Sequence, residues 1–159
     1  MAIKFIKKIL KKLSNRKYRV GVFIVVYRKN GKTINYLLLK RKLHWKGWEF
    51  PKGGKKAGES DFDTIKRELK EETGLKFISI QRYGKKGRYK YDKKALKDRN
   101  FYGQTYVLYS ARVKSEKVKI DRREHTTYKW VGFHKAISML TWMNQKESLY
   151  LVNEKLTQK

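Results

Sequence analysis

The chain has no cysteine, one proline and 14 acidic residues against 42 lysines and arginines. The first absence excludes disulfides, thiolate metal sites and cysteine nucleophiles, so any metal must sit on oxygen or imidazole. The lone proline, Pro51, leaves the rest of the chain free of that breaker. No apolar run is long enough to span a bilayer. The N-terminus also lacks the continuous apolar core and small-residue cleavage site of a signal peptide, which makes a soluble cytoplasmic protein the simplest expectation. The shortage of acid gives a formal net charge of +28. Such an excess attracts polyanions, whether nucleotides, RNA or anionic membrane, and equally fits a composition-wide lysine bias.

What is present is enough for a core. Hydrophobic residues make up 40% of the 159 residues, too many for a disordered chain, and the length suits one domain. Residues 1–17 place Ile3, Ile6, Ile9, Leu10 and Leu13 at helical spacing, with lysines on the remaining arc. This basic amphipathic extension can dock on its own domain, on RNA or, through residues 1–13, on an anionic membrane. From residue 18 to 159 the chain reads as a single α/β domain. Val20–Tyr27 and Asn35–Arg41 form a hairpin, followed by a Gly-rich loop over 48–58 and a helix over Ser60–Thr73 stopped by Gly74. Strands are expected at 77–83, 102–113 and 126–131, and helix closes the chain.

The 60–73 helix carries the chemistry. Six of the 14 acids, from Glu59 to Glu72, fall within fourteen consecutive positions of a chain where positive charge dominates. Ser60 and Asp63 read as a capping box, and acids in the first turn suit the helix dipole. Glu68, Glu71 and Glu72 need another account, because positions i, i+3 and i+4 share a face and three carboxylates repel unless cations neutralise them. Phe62, Ile65 and Leu69 form the stripe to be buried beside them. Oxygen ligands alone select Mg²⁺ or Mn²⁺. Arg67, one turn before Glu71, can orient it. The alternative is a solvated glutamate face paired with local lysines.

Gly53-Gly54-Lys55-Lys56-Ala57-Gly58-Glu59 through Arg67-Glu68-Leu69-Lys70-Glu71-Glu72-Thr73-Gly74-Leu75 resembles the Nudix box at all nine of its fixed positions. The resemblance implies an α/β/α sandwich with a mixed sheet and hydrolysis of nucleoside diphosphates linked to another moiety. It also implies divalent metal on Glu68, Glu71, Glu72 and the Gly53 carbonyl, with Glu59 in support. Within the family, Trp48-Glu49-Phe50-Pro51-Lys52-Gly53 and Glu124-His125-Thr126-Thr127-Tyr128-Lys129-Trp130 look most like asymmetric diadenosine tetraphosphate hydrolases. RNA 5′-pyrophosphohydrolases share part of both segments. That likeness gives Glu124 the role of an additional metal ligand or base. It makes His125 a phosphate contact or a structural residue, and Tyr128 a further substrate-contact candidate. Lys52, Arg41 and Lys40 flank the loop and can neutralise phosphates. The Lys85–Arg99 run interleaves cations with Tyr89 and Tyr91, which suits base stacking in a loop or packing on the sheet. Three functions follow in order: hydrolysis of dinucleoside polyphosphates, removal of pyrophosphate from RNA 5′ ends, and a non-catalytic RNA-binding Nudix module.

Overall fold

The structure is a computed structural model that describes residues 3, 4, 6 and 17–158. Of the expected N-terminal amphipathic helix, Ile3, Lys4 and Ile6 are helical and exposed, and the rest lies outside the described residues. No described helix is long and apolar enough to cross a membrane.

The hairpin forms where the sequence places it. β2 (Gly21–Asn30) pairs antiparallel with β3 (Thr33–Arg41), and Gly31 supplies the positive φ of 57° at the turn. Val22 through Tyr27 are all buried, as a strand covered on both faces must be. β2 also pairs parallel with β7 (Gly103–Val113), so the sheet is mixed. β1 (Tyr18–Arg19) lies beside the start of β7, β6 (Phe77–Lys90) borders β7 on its other side, and β8 (His125–Val131) lines β3. Two short strands, β4 (Gly47–Glu49) and β5 (Lys52–Gly54), sit inside the segment expected to be a Gly-rich loop. They pair with β3 and β2.

One face of the sheet carries Val22, Ile24, Val26, Leu37 and Leu39 and is covered by α1 (Asp61–Thr73) through Ile65 and Leu69. The other carries Phe23, Val25, Tyr36 and Leu38. It is covered by α3 (Phe133–Met139) and α4 (Met143–Thr157) through Ala136, Leu149 and Val152. The result is the expected α/β/α sandwich.

Two local expectations are corrected. Phe62 is not part of the buried stripe: it is half exposed and meets Phe77 edge-on at 5.3 Å, because its position on α1 turns it to the rim. The Lys85–Arg99 run is not a loop either. β6 continues to Lys90 and a short helix, α2 (Lys93–Asp98), follows, capped by the Asp92 carboxylate accepting from Ala95 N.

Candidate active site

α1 begins and ends on its own signals. The Ser60 hydroxyl accepts from Asp63 N at 3.1 Å while the Asp63 carboxylate accepts from Ser60 N at 3.0 Å, and Gly74 closes the helix at φ 67°. With Ile65 and Leu69 against the sheet, the helical period carries Glu68 and Glu72 to the buried side, at 8% and 6% exposure. Glu71, about 100° round the helix, is turned outward with its side chain half exposed, held by Arg67 and Lys56. The expected trio is therefore two buried carboxylates and one at the rim.

Arg67 ties the loop to the helix. It donates to both oxygens of Glu59, at 2.6 and 2.9 Å, to Glu68 at 2.7 Å and to the Gly54 carbonyl at 2.9 Å; its contact with Glu71, the partner expected from spacing, is the longest at 3.4 Å. Glu59, which also accepts from Lys56 N and the Thr64 hydroxyl, is held far below the usual carboxylate range by the Arg67 hydrogen bonds first and the Lys56 amide second. Gly53 leaves room for the acid: a Cβ there would lie 1.9 Å from the Glu68 carboxyl carbon, so Glu68 would have to move. Its carbonyl accepts from Gln104 Nε2 at 3.3 Å.

A second charged group was not foreseen as a site residue. Glu49, 1% exposed, accepts from Arg41 Nη1 at 3.2 Å and from Lys52 Nζ, and shares a 3.1 Å hydrogen bond with His125 Nε2. Burial pushes the Glu49 carboxyl up, yet the Lys52 ammonium, the His125 hydrogen bond and Arg41 together bring it down to about 2. The same Arg41 nitrogen reaches Glu124 at 2.7 Å, and Lys52 N donates to Glu72 at 3.3 Å. Through Arg41 and Lys52, Glu49 is thereby connected to two of the acids that line the cleft, Glu124 and Glu72.

These contacts revise several expected phosphate contacts. Arg41 is 5% exposed and doubly ion-paired, so its charge is committed to Glu49 and Glu124; Lys52 lines the cleft but is paired with Glu49. His125 is 1% exposed and is not in the cleft lining, and its Nδ1 has no hydrogen-bond partner. Tyr128, opposite Leu39 on β8, packs with the α1-side core outside the cleft, and Lys40 lies over the Trp48 ring at 5.9 Å, also outside it.

The cleft itself has a volume of about 500 Å³. Its lining includes the acids Glu68, Glu71, Glu72 and Glu124 with Gly53, the aromatic residues Tyr89, Tyr91, Trp45 and Trp142, and the cations Arg19 and Arg99. Tyr89 is packed beside Phe23 at 5.9 Å, and burial, then Tyr91, raises its hydroxyl pKa strongly. Tyr91 already has the Arg99 guanidinium 4.7 Å over its ring. Trp45 and Trp142, which sequence reasoning missed, meet edge-on at 5.3 Å. The 41–45 turn that carries Trp45 includes His44 at φ 70°, the sole described non-glycine residue with positive φ.

The carboxylates fit a divalent cation. Burial raises the pKa of Glu68, and raises that of Glu72 well above the usual value against the pull of Lys52, with Glu68, Glu49 and Glu124 adding repulsion. A cation between them relieves both penalties. Glu72, Glu124 and His125 each offer one ligand atom within 4.8 Å of the others. Two of these three donors are carboxylates, and hard oxygen donors favour Mg²⁺ or Mn²⁺.

The family pattern described as NUDIX domain matches residues 17–152. The chain belongs to the Nudix family. It is 31% identical over 121 residues to the asymmetrical bis(5′-nucleosyl)-tetraphosphatase of Rattus norvegicus, covering 74% of this chain and 77% of that protein. It is 30% identical over 139 residues to an RNA pyrophosphohydrolase of Nitratiruptor, covering 84% and 90%. The fold is similar to a C. elegans Ap4A hydrolase in a binary complex, with TM-score 0.71, 22% identity and coverage of 87% of this chain and 97% of that one. It is equally similar, at TM-score 0.71, 19% identity and coverage of 93% and 98%, to the NUDIX domain of Shewanella oneidensis NrtR with ADP ribose. The protein is a Nudix pyrophosphohydrolase, an enzyme that acts on phosphoanhydrides.

Proposed function

We propose that this Nudix hydrolase cleaves dinucleoside polyphosphates of the diadenosine tetraphosphate kind in the cytoplasm, that residues 18–159 form its catalytic domain, and that Glu68, Glu72, Glu124, the Gly53 carbonyl and the rim carboxylate Glu71 hold Mg²⁺ or Mn²⁺. The observation that carries the reading is one cleft lined by both clustered carboxylates and several aromatic rings, a combination suited to a polyphosphate and its nucleosides. The cation supplies neutralisation of phosphate charge and acidifies a nearby water.

The chain's own groups do the rest. Arg41 fixes Glu124 at the cleft edge, where its carboxylate takes the proton of the water that attacks phosphorus as the phosphoanhydride bond breaks. Arg19 and Arg99 meet the distal phosphates. Arg67 and Glu59 hold the loop, and with it Gly53, against Glu68. Trp45 and Trp142 offer ring faces to a base, with Tyr91 beside them once Arg99 turns to phosphate.

A second reading, removal of pyrophosphate from RNA 5′ ends, is favoured by one observation: Lys90, at the end of a row of cations on β6, lines the same cleft. Comparing kcat/KM for diadenosine tetraphosphate with that for 5′-triphosphorylated RNA, with Mg²⁺ at physiological salt, tests the ranking. Higher efficiency on the dinucleotide is expected, and a strong preference for RNA reverses the order.

A further inference from the structure

Four cations of β6 share one face of the sheet. Arg82, Lys86, Arg88 and Lys90 pair with Tyr109, Val107, Thr105 and Gly103 of β7, while Tyr83 and Tyr89 turn to the opposite face and pack into the α4-side core. The two-residue period of the strand thus separates inward tyrosines from outward cations. Aromatic rings extend the outward row: the Arg88 guanidinium lies 5.3 Å over Tyr18, the Lys90 ammonium 5.2 Å over Tyr102, and the two tyrosines meet edge-on at 5.8 Å.

The charge on this face is not absorbed locally. Among the described residues Lys86, Arg88 and Lys90 are exposed and form no ion pair with a carboxylate, whereas Arg41, Lys52, Lys55 and Arg67 at the active site all do. The row is also continuous with the cleft, because Lys90 lines it. Measured along β7, its length is about 20 Å, enough for several nucleotides.

We infer that this face of β6 is a track for single-stranded RNA that leads into the cleft. The inference rests on the RNA-end reading above: a strand that carries a phosphoanhydride on its 5′ end is RNA, whose chains begin with a triphosphate. Cations spaced along an extended strand meet successive phosphates, and Tyr18 and Tyr102 take bases on the ring faces that the cations vacate. Binding of this kind is indifferent to sequence and strongly salt-dependent.

The test is fluorescence anisotropy with a short oligouridylate that has a 5′-hydroxyl, so that nothing is available for hydrolysis, over a series of salt concentrations. Two variants of equal charge are compared: Lys86→Gln/Arg88→Gln on the track, and Lys29→Gln/Lys32→Gln at the β2–β3 turn, at the other end of β2 from the cleft. The track variant should bind about tenfold more weakly, with the log–log salt slope smaller by about 1.4 for two lost phosphate contacts, and the turn variant within about twofold of the wild type. Equal effects of the two variants assign the binding to net charge and overturn the track, as does no effect of either. Binding to phosphatidylserine vesicles that needs Lys86 and Arg88, without binding to the oligonucleotide, overturns it in favour of a membrane. Pyrophosphate release from triphosphorylated RNA is measured separately. Its absence, with track-dependent binding intact, rejects the RNA-end reading and leaves the surface standing.

Discussion

Arg41 donates to Glu124 across 83 residues of sequence, at 2.7 Å, from a guanidinium that is itself almost fully buried. The same nitrogen also binds Glu49, so the orientation of the carboxylate at the cleft edge is set by a buried acid that does not line the cleft. Glu49→Gln keeps the shape and removes the charge that holds Arg41 and Lys52. It should lower kcat at least about tenfold with a smaller change in KM. Unchanged kcat in a folded variant refutes the link between Glu49 and Glu124.

Burial disfavours the charged form of Glu72 in the metal-free protein. Glu72→Gln should therefore raise the metal-free thermal midpoint, by about 2–4 °C for each kcal/mol relieved. It should also abolish the rise that Mn²⁺ gives the wild type and lower turnover at least about a hundredfold. Differential scanning fluorimetry with chelator and with Mn²⁺ checks the first two. A variant that still gains stability from Mn²⁺ removes Glu72 from the ligand set. Glu71→Gln should lower turnover about as far, and near-wild-type rates would take the rim carboxylate out of the proposal.

Gly53→Ala places a methyl group where the Glu68 carboxyl now sits. Because the three nearest atoms all belong to the Glu68 side chain, activity and Mn²⁺ affinity should fall while the protein still folds. Titration calorimetry that finds wild-type Mn²⁺ affinity contradicts this.

Asp61 gives the pH dependence a clear sign. Burial pushes its carboxyl up, but the hydrogen bond from Lys55 at 2.8 Å and that from the Tyr109 hydroxyl at 2.6 Å bring it below 3.8. A folded value below the unfolded one means that the stabilisation is present above pH 3.8 and is lost as pH falls through the folded value. The wild type should exceed Asp61→Asn in urea midpoint at pH 7, and the gap should close as pH falls below 3.8. A gap that stays constant over that range assigns the difference to packing.

The parts of the site that were legible in sequence are local. The caps of α1, the burial of Glu68 and Glu72 beside Ile65 and Leu69, and the Gly53–Leu75 pattern follow from spacing within one helix and its loop. Glu71 and Phe62 were misplaced because a helical period gives the angle between side chains but not which angle faces the sheet. The partners of Glu49 and the Trp45–Trp142 pair were illegible, since the first meet through the pairing of β3 with β4 and β8 and the second only where the start of α4 meets the segment before β4. A signal for Glu49 existed: an acid between Trp48 and Phe50 in a β-rich run must be buried with a partner. The length of β6 was masked by Gly84 and Gly87 among lysines, although Tyr83 and Tyr89 keep the strand's alternation on either side of a bulge.

Among the described residues β6 pairs with β7 alone, so its far side is an open border fourteen residues long. Unpaired borders of that length invite the strand of a neighbouring molecule. Here the border carries Lys85, Lys86, Arg88 and Lys90, and a second copy approaching strand to strand meets its own charges. The lopsided composition thereby insulates one molecule from the next, and neutralising the border should cost the protein its resistance to aggregation before it costs the fold.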